Sequence, residues 1–250
     1  MLLTDKIVIV TGAGRGIGRA IALTFAREGA HIVCANRTGE RAERVAEEVR
    51  ALGRRALPVA TDVAQEASVV AMVNRAVETF GTVDILVNNA GIQMRHFVHE
   101  IPAEEFKAML DVNLLGAFYC CKAVLPIMYA KRDGNIIFVN SRSGQQGAGF
   151  RAAYCASKAG QIGLMESLAQ ESRAYGVRVN TLTPVGVKTD MTYELRNFDG
   201  TEIDGSGFME PEEVADGALF LAGHLSRGMH GQCLNLYGSV NYRHCADLRV

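Results

Sequence analysis

Tyr154 and Lys158, in the stretch Tyr154-Cys155-Ala156-Ser157-Lys158, stand four residues apart. On a helix that spacing puts both side chains on one face, one turn from each other. A free phenol has a pKa of about 10 and is a poor proton donor or acceptor at neutral pH. An ammonium held beside it favours the phenolate and draws that pKa toward the working range. The pair therefore suits proton transfer to or from an oxygen. Taken alone, it reads equally well as a surface helix with a chance Tyr and Lys.

Three other groups of residues could join it. Thr11-Gly12-Ala13-Gly14-Arg15-Gly16-Ile17-Gly18 fails the strict G-x-G-x-x-G dinucleotide pattern, because Ile17 holds its third glycine position. Gly12, Gly16 and Gly18 still allow a tight turn and close backbone approach, with a helix N-terminus facing a pyrophosphate. Asn88-Asn89-Ala90-Gly91 forms a second small-residue turn, followed by Gln93, Arg95 and His96. Ser141, in Asn140-Ser141-Arg142-Ser143-Gly144, lies thirteen residues before Tyr154, and Asn113 stands alone upstream.

The elements that must position these groups appear as hydrophobic runs. Ile7 to Val10 is short and wholly apolar, as a strand buried on both faces of a parallel sheet requires. Further strands are expected at His31 to Ala35, Arg55 to Ala60, Ile85 to Val87, Asn135 to Asn140, Val177 to Leu182 and Cys233 to Leu236. Helices are expected between them, at about Arg19 to Glu28, Glu40 to Leu52, Glu66 to Phe80, Ala103 to Leu110, Leu114 to Lys131, Tyr154 to Ala174 and Glu212 to Ala222. Residues 189–210 have mixed composition and read as a lid loop. This alternation predicts one α/β domain over 1–250, a doubly wound parallel sheet with right-handed crossovers.

Composition narrows the function. The 250 residues carry 26 Lys and Arg against 27 Asp and Glu, with no long run of like charge, so nucleic acid and anionic membrane are poor partners. No uninterrupted apolar run approaches the roughly 20 residues of a membrane span, and the first residues lack a signal-peptide pattern. The six cysteines are scattered without Cys-x-x-Cys spacing, which predicts reduced thiols, no metal site and a cytoplasmic location.

Taken together and in order, these motifs resemble the short-chain dehydrogenase/reductase family, on its 3-oxoacyl-reductase-like and ketone-reductase side. The resemblance runs from about Lys6 to Gly238. It implies a Rossmann-type sheet of about seven strands with helices on both faces. It also implies hydride transfer between a nicotinamide and a ketone or secondary alcohol. Tyr154 would be the general acid or base and Ser141 the hydroxyl that binds the carbonyl oxygen. Lys158 would lower the tyrosine pKa and bind the nicotinamide ribose, and Asn113 would hold a water linking Lys158 to solvent. The glycine turn (Gly12, Gly14, Arg15, Gly16, Ile17, Gly18) would receive the cofactor phosphates. Asp62 and Val63 would lie by the adenine, Asn89, Ala90 and Gly91 by its ribose, and Val187 and Thr189 by the nicotinamide carboxamide, with Pro184 and Val185 also among the cofactor-binding residues.

At the end of the second strand, an acid would bind the ribose hydroxyls and repel a 2′-phosphate. Asn36 and Arg37 stand there instead and, with Arg15, favour NADP(H) over NAD(H). Two departures stand out: Val185 where the family has glycine after proline, and Leu236-Tyr237-Gly238-Ser239 in place of Val-Asp-Gly-Gly.

For the substrate, Arg142, Ser143, Arg151 and Gln93 are candidate contacts, and the arginines, with Arg95, suit a polar or anionic small molecule. They could equally be solvated at the rim or pair with the lid acids Glu194, Asp199, Glu202 and Asp204. The alternative is 3-oxoacyl-[acyl-carrier-protein] reduction. Relatives that do this carry two basic residues near the site mouth; Arg132 matches one, Tyr175 replaces the other, and Arg173 is two residues away. A reading of another class is a sensor or scaffold that binds NADP(H) without turnover. The resemblance further implies a homo-oligomer, a tetramer or dimer, through the helices at 114–131 and 154–174.

Overall fold

The computed structural model describes residues 1–194 and 207–238. Seven strands form one parallel sheet: β1 Ile7–Thr11, β2 His31–Asn36, β3 Ala56–Ala60, β4 Ile85–Asn88, β5 Gly134–Val139, β6 Val177–Pro184 and β7 Cys233–Leu236. Their order is β3-β2-β1-β4-β5-β6-β7, and every pairing is parallel. The order reverses between β1 and β4, which opens a crevice at the carboxyl ends of those two strands.

Helices cover both faces because the apolar strands must be buried on both. On one face α1 (Gly16–Arg27), α2 (Gly39–Ala51) and α8 (Pro211–Ala222) pack Ile21, Phe25, Val45 and Leu221 against Val8, Val10 and Ile32. On the other, α3 (Glu66–Phe80), α5 (Gly116–Lys131) and α6 (Ala152–Ser172) set Met72, Val124, Met128 and Met165 against Ile9, Leu86, Ile136 and Phe138. Alternate residues of each strand thus feed two separate cores.

Two boundaries differ from the sequence pattern in ways that matter. The separate helices expected on either side of residues 111–113 are one continuous helical run, in which α4 (Ala103–Leu110) passes through a π turn at Asp111–Leu115 into α5. The wider turn inserts an extra residue without breaking the helix. This run, Ala103–Lys131, is long and apolar enough by length and composition to cross a membrane, but Cys120, Cys121, Val124 and Met128 are buried against the sheet. In the expected lid, a short helix α7 occupies Asp190–Glu194, and Met209 returns to bridge Val187. Residues 195–206 and Ser239 lie outside the described residues, as do Asp199, Glu202, Asp204 and the side chain of Glu194.

Candidate active site

The cofactor end is assembled by one threonine and one asparagine. Thr11, the last residue of β1, accepts at Oγ1 from the backbone N–H groups of Asn89 and Ala90, both at 3.0 Å. The Asn89 amide donates back to the carbonyls of Thr11 (2.9 Å) and Gly12 (3.3 Å). The turn after β1 is thereby tied to the turn after β4. Gly12 has φ +66°, and a Cβ on Gly18 would lie 2.3 Å from the Gly12 carbonyl, so α1 starts as close to the strand as backbone allows.

Arg15, which caps α1, offers no side-chain cap, and the first turn carries no acid. The orphan N–H groups of that turn border a cleft of about 260 Å³. The cleft runs from Arg15, Asn36 and Arg37 past Asp62 and Asn89 to Tyr154 and Lys158. An uncapped helix start at one end and a proton-transfer pair at the other fit a dinucleotide, with its phosphates on α1 and its nicotinamide beside Tyr154.

The sequence-derived cofactor residues divide. Gly12, Arg15, Gly16, Ile17, Gly18, Asn36, Arg37, Asp62, Val63, Asn89, Ala90, Gly91 and Thr189 line the cleft; Gly14, Pro184, Val185 and Val187 do not. A Cβ on Gly14 would meet Arg41 at 2.7 Å and Asn36 at 2.8 Å, so this glycine packs the turn against the start of α2. Arg15 pairs with Asp190 at 3.0 Å. Asp62 accepts from Ala64 N–H at 3.0 Å, the turn role an aspartate takes after a strand. Asp190 and Met191 also line the cleft, on a segment whose composition gave no signal.

At the chemical end, Tyr154 and Lys158 occupy the buried face of α6, with Lys158 only 3% exposed. The Lys158 Nζ donates to the Val139 carbonyl (2.9 Å) and the Gln161 Oε1 (3.2 Å), and lies 5.9 Å from the Tyr154 ring centre. Burial without a carboxylate partner brings its pKa down to about 7. Tyr154 shifts the other way from the sequence expectation. Burial raises its pKa, opposed by a hydrogen bond with Ser141 and by the Arg151 charge. The physical reason is that the same low dielectric that weakens the ammonium also disfavours the phenolate.

Asn113 is fully buried in the π turn. Its amide donates to Ile92 O (2.9 Å) and Ser157 Oγ (3.0 Å), and its Oδ1 accepts from Ile92 N–H (2.8 Å). Its side chain is thus committed to holding the Asn-Asn-Ala-Gly turn against α6. Asn140 and Gln161, neither of which the motifs single out, complete the connection. The Asn140 amide donates to Lys158 O (2.9 Å) and Gln161 Oε1 (3.1 Å), and its Oδ1 accepts from Ser141 N–H at 2.7 Å.

The substrate-side residues fall into two places. Arg142 donates to Gln146 Oε1 (3.1 and 2.9 Å) and lies 5.7 Å over the Tyr237 ring. Ser143 is buried, with its N–H on Ser141 Oγ at 3.2 Å. Arg151 instead sits near Tyr154 and Arg95; burial and the Arg95 charge lower its pKa. A hydrogen bond from His96 N–H to Phe150 O (3.0 Å) joins the two backbone strips that carry Arg95 and Arg151. On the same strip, the Gln93 amide nitrogen is buried with no hydrogen-bond partner among the described residues. Among the described residues no cluster of three or more His, Cys, Asp or Glu side chains is placed to hold a metal ion.

Sheet order, cleft and motif order define a class of nicotinamide-dependent oxidoreductases, and comparison with known proteins agrees. The family model for short chain dehydrogenases matches residues 6–200, and the chain belongs to that family. It is 37% identical over 241 residues to the 3-oxoacyl-[acyl-carrier-protein] reductase FabG of Staphylococcus aureus, covering 94% of this chain and 98% of that protein. It is 34% identical to FabG of Thermotoga maritima, over 96% and 99%. A short-chain type dehydrogenase/reductase from Mycobacterium marinum superposes with TM-score 0.88 at 31% identity, covering 94% and 95%. A 7 alpha-hydroxysteroid dehydrogenase complexed with NADH and 7-oxo glycochenodeoxycholic acid gives 0.88 at 28%, covering 95% of each chain. The chain is accordingly an enzyme, an NAD(P)H-dependent oxidoreductase of ketones and alcohols.

Lys158 yields a prediction in the ligand-free protein. Between about pH 7 and its unfolded pKa of about 10.4, the unfolded chain carries a proton on Lys158 that the native chain lacks. Native stability from this group therefore rises with pH across that window, by at most about 1.4 kcal/mol per pH unit. Thermal melts should show wild type gaining on Lys158→Met as pH goes from 7 to 9. A constant difference would contradict the lowered pKa.

Proposed function

We propose that this chain reduces the ketone of a 3-oxoacyl thioester with NADPH, and that Tyr154 delivers the proton. The observation that carries the reading is a cleft with Tyr154 and Lys158 at one end and the uncapped start of α1 at the other, with Ser141 hydrogen-bonded to Tyr154. A bound nicotinamide supplies the hydride. Ser141 Oγ directs a hydrogen bond at the carbonyl oxygen, where negative charge develops. Tyr154, a phenol protonated at neutral pH whose burial raises its pKa further, gives its proton to that oxygen. Lys158 has a pKa near neutrality, so its charge responds to the phenolate left behind.

NADPH is favoured over NADH because β2 ends in Asn36 rather than an acid, with Arg37 exposed at the cleft rim and Arg15 across it. The thioester is supported by near-full-length similarity to FabG proteins. Arg132, whose guanidinium donates to the Ala174 carbonyl at 2.7 Å beside the exposed Arg173, stands just before β5, at the amino ends of the strands and away from the cleft, so it adds nothing to the thioester reading at this chain's own site. Tyr175, where relatives have a second basic residue, stacks on Tyr129 at 4.1 Å instead. A second reading, a free anionic ketone, is favoured by the guanidinium of Arg151 beside Tyr154, with Arg95 beside Arg151 in turn.

NADPH and NADH oxidation should be followed with acetoacetyl thioesters, keto acids, sugar ketones and cyclic ketones. Turnover with the thioesters, falling about a hundredfold or more in Tyr154→Phe, is the expected result. No turnover with any ketone while NADPH still binds would favour a sensor instead. Arg37→Glu should cut kcat/KM with NADPH at least tenfold and spare NADH; equal losses would end the cofactor assignment. If the substrate is anionic, Arg151→Ala should raise KM for keto acids and leave neutral ketones unchanged.

A further inference from the structure

Gln161 lies one turn beyond Lys158 on α6 and is 1% exposed. A long amide is costly to bury unless its groups are matched. Here both ends are used. Its Oε1 accepts from Lys158 Nζ at 3.2 Å and from Asn140 Nδ2 at 3.1 Å, and its Nε2 donates to the Asn113 carbonyl at 2.5 Å. One side chain therefore touches the ammonium, the end of β5 and the π turn. Lys158 Nζ has one other hydrogen bond from its own side chain among the described residues, to the Val139 carbonyl.

We propose that Gln161 is a positioning residue for Lys158: its carboxamide oxygen is the side-chain acceptor that holds the lysine, in its charged form, toward Tyr154. The assignment rests on the reading that Tyr154 and Lys158 act together at the carbonyl. The titratable groups around the ammonium are few. Tyr154 faces it from α6, with Arg151 and Cys155 beyond the phenol. The end of β5 contributes a carbonyl and the Asn140 amide, and the π turn contributes Asn113. Neither brings a carboxylate to the lysine, so among the described residues the Gln161 amide oxygen is its side-chain acceptor. Hydrogen bonding to the charged form favours that form, so loss of Oε1 should lower the lysine pKa further. With less positive charge beside it, the phenol should hold its proton to higher pH.

The test separates this role from simple packing. Gln161→Met preserves length and removes both polar ends. Lost bonds to Asn140 and Asn113 destabilise equally at all pH, whereas a lost bond to Lys158 matters most where the lysine is charged. Melts of the ligand-free protein should therefore show a larger drop in Tm, relative to wild type, at pH 6 than at pH 8.5. An equal drop at both would overturn the proposal, whatever the enzyme's substrate proves to be. In alcohol oxidation, kcat should fall about tenfold with KM within twofold, and the pH of half-maximal rate should rise by half a unit or more. An unmoved pH midpoint would also overturn it. Gln161→Asn retracts the amide by one methylene and should give the same changes; it decides the matter if Gln161→Met does not fold.

Discussion

Burying the Lys158 ammonium is the constraint on which the rest of the site depends. A cation removed from water loses hydration worth several kcal/mol even after the protein relaxes. Among the described residues no carboxylate offsets that loss, and the pKa falls to about 7. The acceptors that remain are the Val139 carbonyl at the end of β5 and the Gln161 oxygen on α6. Strand and helix must therefore meet closely at this point. Gly144 permits it: a Cβ there would lie 2.3 Å from Asn140 Oδ1 and 2.8 Å from the Lys158 carbonyl. Ser141, between Asn140 and Gly144 on the same turn, is held near Tyr154 as a consequence.

The same logic of shared polar groups joins the two halves of the cleft. Thr11 and Asn89 lock the turns after β1 and β4 together. From that second turn the chain reaches Ile92, whose N–H and carbonyl are both taken by Asn113. Asn113 in turn reaches Ser157 directly and α6 again through Gln161. Hydrogen bonds joined by one short stretch of backbone thus run from the glycine turn to the lysine, part-buried as far as Ile92 and buried from Asn113 onward to Ser157 and Gln161. Such networks hold geometry well when every member is satisfied, and they specify one arrangement rather than several.

Much of this was legible in the sequence because it depends on local pattern. The seven strands, the helix spanning Glu66–Phe80 and the spacing of Ser141, Tyr154 and Lys158 follow from hydrophobic period and motif order. Gln161 was not legible, since a glutamine on an apparently ordinary helix carries no sign of which face it occupies or which carbonyl awaits it. Nor was the π turn: an inserted residue shifts the phase of the hydrophobic period, which reads in the sequence as a gap between two helices rather than as one continuous run. The direction of the Tyr154 shift was missed for a different reason. Proximity of a lysine can be read from i,i+4 spacing, but desolvation of both groups is a property of the folded chain.

The departure at Val185 shows how such a difference can be local. Val185 is 39% exposed, its N–H pairs with the Leu236 carbonyl at 3.1 Å, and it stays out of the cleft lining. The need for glycine falls on the next residue instead. A Cβ on Gly186 would lie 2.4 Å from the Phe208 ring, which the returning chain lays across it. Met209 then bridges Val187 by pairing with the backbone on either side of it, from Met209 N–H to Gly186 O and from Lys188 N–H to Met209 O, both at 2.9 Å. The aromatic ring can sit there only because the backbone beneath it has no side chain. A valine before the glycine, part-exposed and outside the cleft lining, alters the surface and leaves the residues that line the cleft in place.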